Sequence, residues 1–85
     1  MIELYTKENC PYCIKAKNIL NSLKVQYTNY IVEQDISRDS ILEMFPLARS
    51  YPIVVLNGEF IGGYTELEMR IFEERENFGK QFLAG

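Results

Sequence analysis

Both cysteines of this 85-residue chain lie in one tetrapeptide, Cys10-Pro11-Tyr12-Cys13. Thiols at that spacing can close a small disulfide ring, cycle between dithiol and disulfide, or supply half of a tetrahedral metal site. A closed zinc or iron site needs about four soft or imidazole donors, and the chain has two cysteines and no histidine. Carboxylates, a second chain or an external thiol would have to complete the set. A permanent staple is also disfavoured, because so short a loop removes denatured-state entropy worth only on the order of 2 kcal/mol. In a reducing cytosol such a ring would be unprotected.

The chemistry depends on what holds the pair. Ile2-Glu3-Leu4-Tyr5-Thr6 alternates apolar and polar and predicts a short strand, which the loop Lys7-Glu8-Asn9 leads toward Cys10. From Pro11 a helical stripe begins with Cys13, Ala16, Leu20 and Leu23, Ile19 beside it. Proline suits the first helical position, since its missing N–H would be unpaired there. Cys10 then becomes the helix N-cap, where unpaired N–H groups and the macrodipole favour a thiolate and lower its pKa below the usual value of about 8.5. Cys13 lies one turn inside, within reach of a mixed disulfide on Cys10 but less exposed. The asymmetry assigns Cys10 as attacking nucleophile and Cys13 as resolving thiol.

Further along, a strand is expected over about residues 26–32, then a short helix capped by Ser37 and ending before Pro46, with Ile41, Leu42 and Phe45 inward. Pro52 opens the apolar run Ile53-Val54-Val55-Leu56, and Asn57-Gly58 marks a hairpin turn before Glu59-Phe60-Ile61. Gly62-Gly63 breaks that strand. Thr65-Glu66-Leu67-Glu68 has the form of a capping box for a last helix, with Leu67, Ile71 and Phe78 inward and an end near Gly79. The element order is βαβαββα.

The formal charge of −3 and pI near 4.9 argue against general nucleic-acid binding, which needs a basic face. The first residues lack the basic flank and apolar run of a signal peptide, and no aliphatic run is long enough to span a bilayer, so the expected compartment is cytoplasmic. Charge is unevenly spread. Residues 1–24 carry four lysines against two glutamates, while residues 51–85 carry six glutamates against three basic residues. The cationic end holds the cysteines and would welcome an anionic thiol substrate.

With these pieces in order, the chain resembles the glutaredoxin family over nearly its whole length. The matching segments are Tyr5-Thr6-Lys7 leading into Cys10-Pro11-Tyr12-Cys13, then Arg49-Ser50-Tyr51-Pro52 before a strand, then Gly62-Gly63-Tyr64-Thr65-Glu66-Leu67. The resemblance implies an α/β, thioredoxin-like fold: a four-stranded mixed sheet in order 2-1-3-4 flanked by three helices, with residues 1–85 as a single glutaredoxin domain. It implies a monomeric glutathione-dependent thiol-disulfide oxidoreductase with no metal, acting on glutathione mixed disulfides and protein disulfides. Ribonucleotide reductase is a candidate acceptor at the level of the family. Lys7 and Arg49 would face the glycine carboxylate of glutathione, and Tyr12 would pack beside its sulfur. The backbone of Tyr51, before a cis bond to Pro52, would pair with the cysteinyl part, and Gly63, Tyr64, Thr65 and Glu66 would hold the γ-glutamyl end. Two residues depart from the family pattern. Tyr51 stands where a small β-branched residue is usual, and Tyr64 where a cysteine is common.

Two other functions compete. A thioredoxin-like donor recharged by a flavoprotein reductase would be expected to carry tryptophan, and this chain has none. A dimer holding an iron–sulfur cluster between two Cys10 thiolates with glutathione is disfavoured by the stiff Pro11 in the motif.

Overall fold

A computed structural model describes residues 1–72. Its four strands are β1 (Ile2–Thr6), β2 (Tyr27–Ile31), β3 (Ile53–Leu56) and β4 (Glu59–Gly62). Helices α1 (Pro11–Ser22) and α2 (Arg38–Met44) precede β2 and β3, and residues 64–72 form a third, α3. The strands lie in the order β2-β1-β3-β4. β1 runs parallel to β2 and antiparallel to β3, and β4 closes a hairpin on β3. This is the mixed sheet the resemblance implied.

Alternation along the central strands buries both faces of the sheet. Leu4 and Val54 point to one side, where they pack with Ala16 and Leu20 of α1 and Leu67 of α3. Tyr5, Ile53 and Val55 point to the other, against Ile41 of α2. Because β1 and β3 pair antiparallel, with Tyr5 opposite Ile53, the carboxyl end of β1 and the amino end of β3 emerge together at one edge of the sheet. The two cysteines follow one, and Tyr51-Pro52 precedes the other.

Asn57 and Gly58 both have positive φ, 52° and 82°, the conformation of the tight hairpin turn that Asn-Gly favours. Four expectations shift. β2 stops at Ile31, because Val32 makes only an isolated bridge to Ile36 and Glu33 turns the chain at φ 74°. Leu42 is 56% exposed rather than inward: α2 has only two turns, and Ile41 and Phe45, four apart, take its buried stripe. β4 extends through Gly62, with a register shift opposite Val54/Val55, so the break comes one residue later than expected. Finally, α3 begins at residue 64 with Gly63 before it, two residues ahead of the expected cap at Thr65. The placements of Phe78 and of an end near Gly79 lie outside the described residues.

Candidate active site

Cys10 is the N-cap of α1, with extended backbone angles of φ −118° and ψ 100°. Asn9 before it sits at φ 55°, a left-handed conformation that asparagine tolerates better than most residues with a side chain. That single reversal turns the loop after β1 into the helix. The Sγ of Cys10 accepts the N–H of Cys13 at 3.2 Å, doing what a serine or aspartate oxygen does at other N-caps. Cys10 and Cys13 are linked as a disulfide, with Cα atoms 5.2 Å apart. Cys10 is 6% exposed and Cys13 1%, so an incoming sulfur meets Cys10 first.

Tyr51 approaches from the other strand. Its peptide bond to Pro52 is cis, and its carbonyl oxygen lies 3.8 Å from Cys10 Sγ. Pro52 is buried, and its own carbonyl lies under Gly63, 3.3 Å from where a Cβ on that glycine would stand.

Two grooves meet at this point. One, of about 550 Å³, runs between the loop before β3 and the start of α3 and is lined by Tyr12, Arg49, Tyr51, Gly63, Tyr64, Thr65 and Glu66 among others. The other, of about 420 Å³, contains Cys10 itself together with Lys7, Tyr12, Arg38, Arg49 and Tyr51. Tyr12, Arg49 and Tyr51 belong to both. The fold therefore gathers every candidate site residue except the buried pair Cys13 and Pro52 onto two adjoining walls. Arg38 was not singled out from sequence; its signal was its place directly after the cap Ser37, at the first position of α2.

The aromatic rings are organised. Tyr12 and Tyr64 lie 5.7 Å apart, centroid to centroid, while Lys15 Nζ sits 5.2 Å from the Tyr12 ring and Lys7 Nζ 5.4 Å from that of Tyr51. Tyr64 donates its phenolic hydrogen to Glu68 Oε2 at 2.9 Å. That bond, with desolvation and the nearby Glu68 charge adding to it, raises the Tyr64 pKa above the ordinary tyrosine value.

At the start of α3, Glu66 turns back so that its Oε2 accepts the N–H of Gly63 at 3.0 Å. This is the return half of a capping box with glycine as cap. It also accounts for Gly62, where a Cβ would stand 2.6 Å from the Glu66 side chain. Among the described residues, no three His, Cys, Asp or Glu side chains gather into a possible metal site, and no helix is long and apolar enough to cross a membrane.

A Cys-X-X-Cys motif capping the helix that follows the central strand of a β2-β1-β3-β4 mixed sheet defines a thioredoxin-like redox protein. Comparison with known proteins narrows the class. The family model described as Glutaredoxin matches residues 2–61. Glutaredoxin 3 of Escherichia coli strain K12 is 29% identical over 66 residues, covering 78% of this chain and 80% of the relative. A glutaredoxin of Neisseria meningitidis serogroup A is 34% identical over 68 residues, covering 78% and 79%. The fold superimposes on glutaredoxin 1 from Francisella tularensis with a TM-score of 0.74 at 22% identity, over 88% of this chain and 95% of that one. It also matches the thioredoxin-like protein BC3987, with a TM-score of 0.67 and 30% identity over 82% and 96%. The chain belongs to the glutaredoxin family and is a thiol-disulfide oxidoreductase of that family.

Proposed function

We propose that the chain is a glutathione-dependent oxidoreductase that reduces glutathione mixed disulfides through Cys10 alone and protein disulfides through Cys10 and Cys13. The observation that carries this reading is Cys10 Sγ at a helix N-cap, accepting a backbone N–H and opening onto a groove lined by cations. A hydrogen bond to sulfur and the positive end of the helix favour thiolate over thiol.

The Cys10 thiolate attacks the glutathionyl sulfur of a mixed disulfide. The substrate thiolate leaves and takes up a proton, and Cys10 carries glutathione as a mixed disulfide. A second glutathione thiolate attacks that glutathionyl sulfur, giving oxidised glutathione and restoring the Cys10 thiolate. With a protein disulfide, Cys10 forms the mixed disulfide with the protein. Cys13 then attacks Cys10 Sγ, releasing the reduced protein and forming the Cys10–Cys13 bond, which two glutathione molecules reduce in turn.

Glutathione would lie across both grooves. Lys7 and Arg49, joined by Arg38, take its glycine carboxylate, Tyr12 flanks the sulfur, and the Tyr51 backbone next to Pro52 pairs with the cysteinyl residue. Gly63, Tyr64, Thr65 and Glu66 receive the γ-glutamyl end, with the Glu66 carboxylate placed to meet its ammonium. The chain acts as a single-domain monomer in the cytoplasm, and ribonucleotide reductase is one candidate among its protein acceptors.

Purified protein should turn over a glutathione mixed disulfide when coupled to glutathione and glutathione reductase. Cys10→Ser should abolish that activity, and Cys13→Ser should keep much of it while losing reduction of protein disulfides. Rapid reduction by thioredoxin reductase with no response to glutathione would overturn the reading.

A further inference from the structure

Tyr51 is one of the residues shared by both grooves, and its ring has contacts beyond the backbone pairing assigned above. The ring packs on the cluster formed by Tyr5, Ile41, Ile53 and Val55, so one of its sides is anchored in the interior. Lys7 Nζ lies over the ring, 5.4 Å from its centroid, at a distance where a cation is attracted by the ring quadrupole. Lys7 is an exposed side chain on a flexible stem, and nearby carboxylates compete for it. Glu8 and Glu33 line a third groove together with Lys7, Arg38 and Tyr51. One oxygen of each is held elsewhere: Glu8 Oε1 accepts Gln34 Nε2 at 3.0 Å, and Glu33 Oε1 accepts the Arg38 backbone N–H at 3.3 Å. The ammonium of Lys7 sits over a neutral aromatic face instead, in the wall of the groove that contains Cys10.

We infer that Tyr51 is a positioning residue: its ring holds the Lys7 ammonium beside Cys10, so that the site selects disulfides whose arm on that side carries a carboxylate. The physical basis is the difference between an ion pair and a cation–π contact. An ion pair with Glu8 or Glu33 would neutralise Lys7 and draw it away, whereas an aromatic face fixes the cation and leaves its charge and outward N–H donors for the substrate. An aliphatic residue at position 51 fills space without doing this. The inference builds on the thiolate role of Cys10 proposed above and adds a selection rule to it.

The test uses reduced protein with two disulfide probes, the anionic dithiobis(nitrobenzoate) and the neutral dithiodipyridine. The Cys10 thiolate attacks one sulfur, forming a mixed disulfide with half of the probe and releasing one chromophoric thiolate or thione; Cys13 then attacks Cys10 Sγ, closing the Cys10–Cys13 bond and releasing the second. The rate ratio, anionic over neutral, should fall about two- to fivefold in Tyr51→Leu, a drop set by the strength of exposed cation–π contacts. Tyr51→Phe, which keeps the ring face, should restore the ratio. In a Lys7→Met background, Tyr51→Leu should change it no further. Equal slowing with both probes, or a drop that persists without Lys7, would overturn the inference.

A parallel measurement compares KM for a glutathione mixed disulfide with KM for its glycyl ethyl ester. Tyr51→Leu should raise the first and leave the second, and equal changes in both would count against the inference. If wild-type protein fails to turn over either substrate while the probe ratios behave as stated, the glutathione reading falls and the role of Tyr51 stands.

Discussion

Gly62 and Glu66 illustrate how single residues set the shape of the site. Gly62 has φ 129°, a region residues with a side chain rarely occupy, and a Cβ there would collide with Glu66 at 2.6 Å. Gly62→Ala is therefore expected to cost about 1–3 kcal/mol in backbone strain alone, read as a lower urea midpoint. Glu66→Ala in that background should recover the part due to the clash and not the part due to φ; full recovery would show that the backbone is unstrained. The glycine pair was visible in the sequence as a strand break. Its actual reason, the return of the Glu66 carboxylate to the Gly63 N–H, was not. The four residues Thr65 to Glu68 read equally well as a box of their own, and only the path of β4 decides which residue becomes the cap.

Among the elements, α2 is the one most dependent on its ends. It has seven residues and a single fully buried position, Ile41, so little packing stabilises it. The Ser37 Oγ accepts the N–H of Ser40 at 3.1 Å, and Asp39 lies in the first turn. Ser37→Ala should cost about 1 kcal/mol, a fall in Tm of roughly 4–8 °C for a domain of this size. Because Arg38 begins this helix and lines the Cys10 groove, the same change should also lower the rate ratio of anionic over neutral disulfide probe. Thermal unfolding followed by circular dichroism, together with the probe assay, checks both; an unchanged Tm would show that the cap contributes nothing. By contrast, α1 was legible in advance, since Pro11 at its start and the spacing of Cys13, Ala16 and Leu20 leave one solution. The same periodic reasoning placed Leu42 inward. A two-turn helix has room for only one stripe, and packing on β3 chose Ile41 and Phe45.

For the whole molecule, two apolar clusters on opposite faces of one sheet mean that a buried titratable group acts on global stability. Tyr5 belongs to the cluster beneath α2, stacked on Tyr30 at 4.9 Å and tilted against Phe45 at 5.0 Å. Burial, with smaller contributions from Glu3 and Tyr30, pushes its phenol above the ordinary tyrosine value. Above about pH 10 the unfolded chain releases this proton while the folded chain keeps it, so the unfolded state binds fewer protons and stability falls as pH rises. Below that pH the contribution is fully present. The urea midpoint should therefore be level from neutral pH to about 10 and decline above it, with a shallower decline in Tyr5→Phe. Parallel curves for the two proteins would refute the assignment.

The sequence by itself determined the chemistry and most of the scaffold. Two thiols without histidine partners, a proline at the first turn of a helix, and alternating strands bounded by Asn57-Gly58 are local features, and local features are written in adjacent residues. The tertiary structure decided what lies across the chain from them. It set Tyr51 beside Cys10 although 41 residues separate them, joined Arg38 to Lys7 in one groove, and, among the described residues, placed Lys7 over an aromatic ring rather than on a carboxylate. Those juxtapositions depend on sheet order and register, which no spacing within a single element encodes.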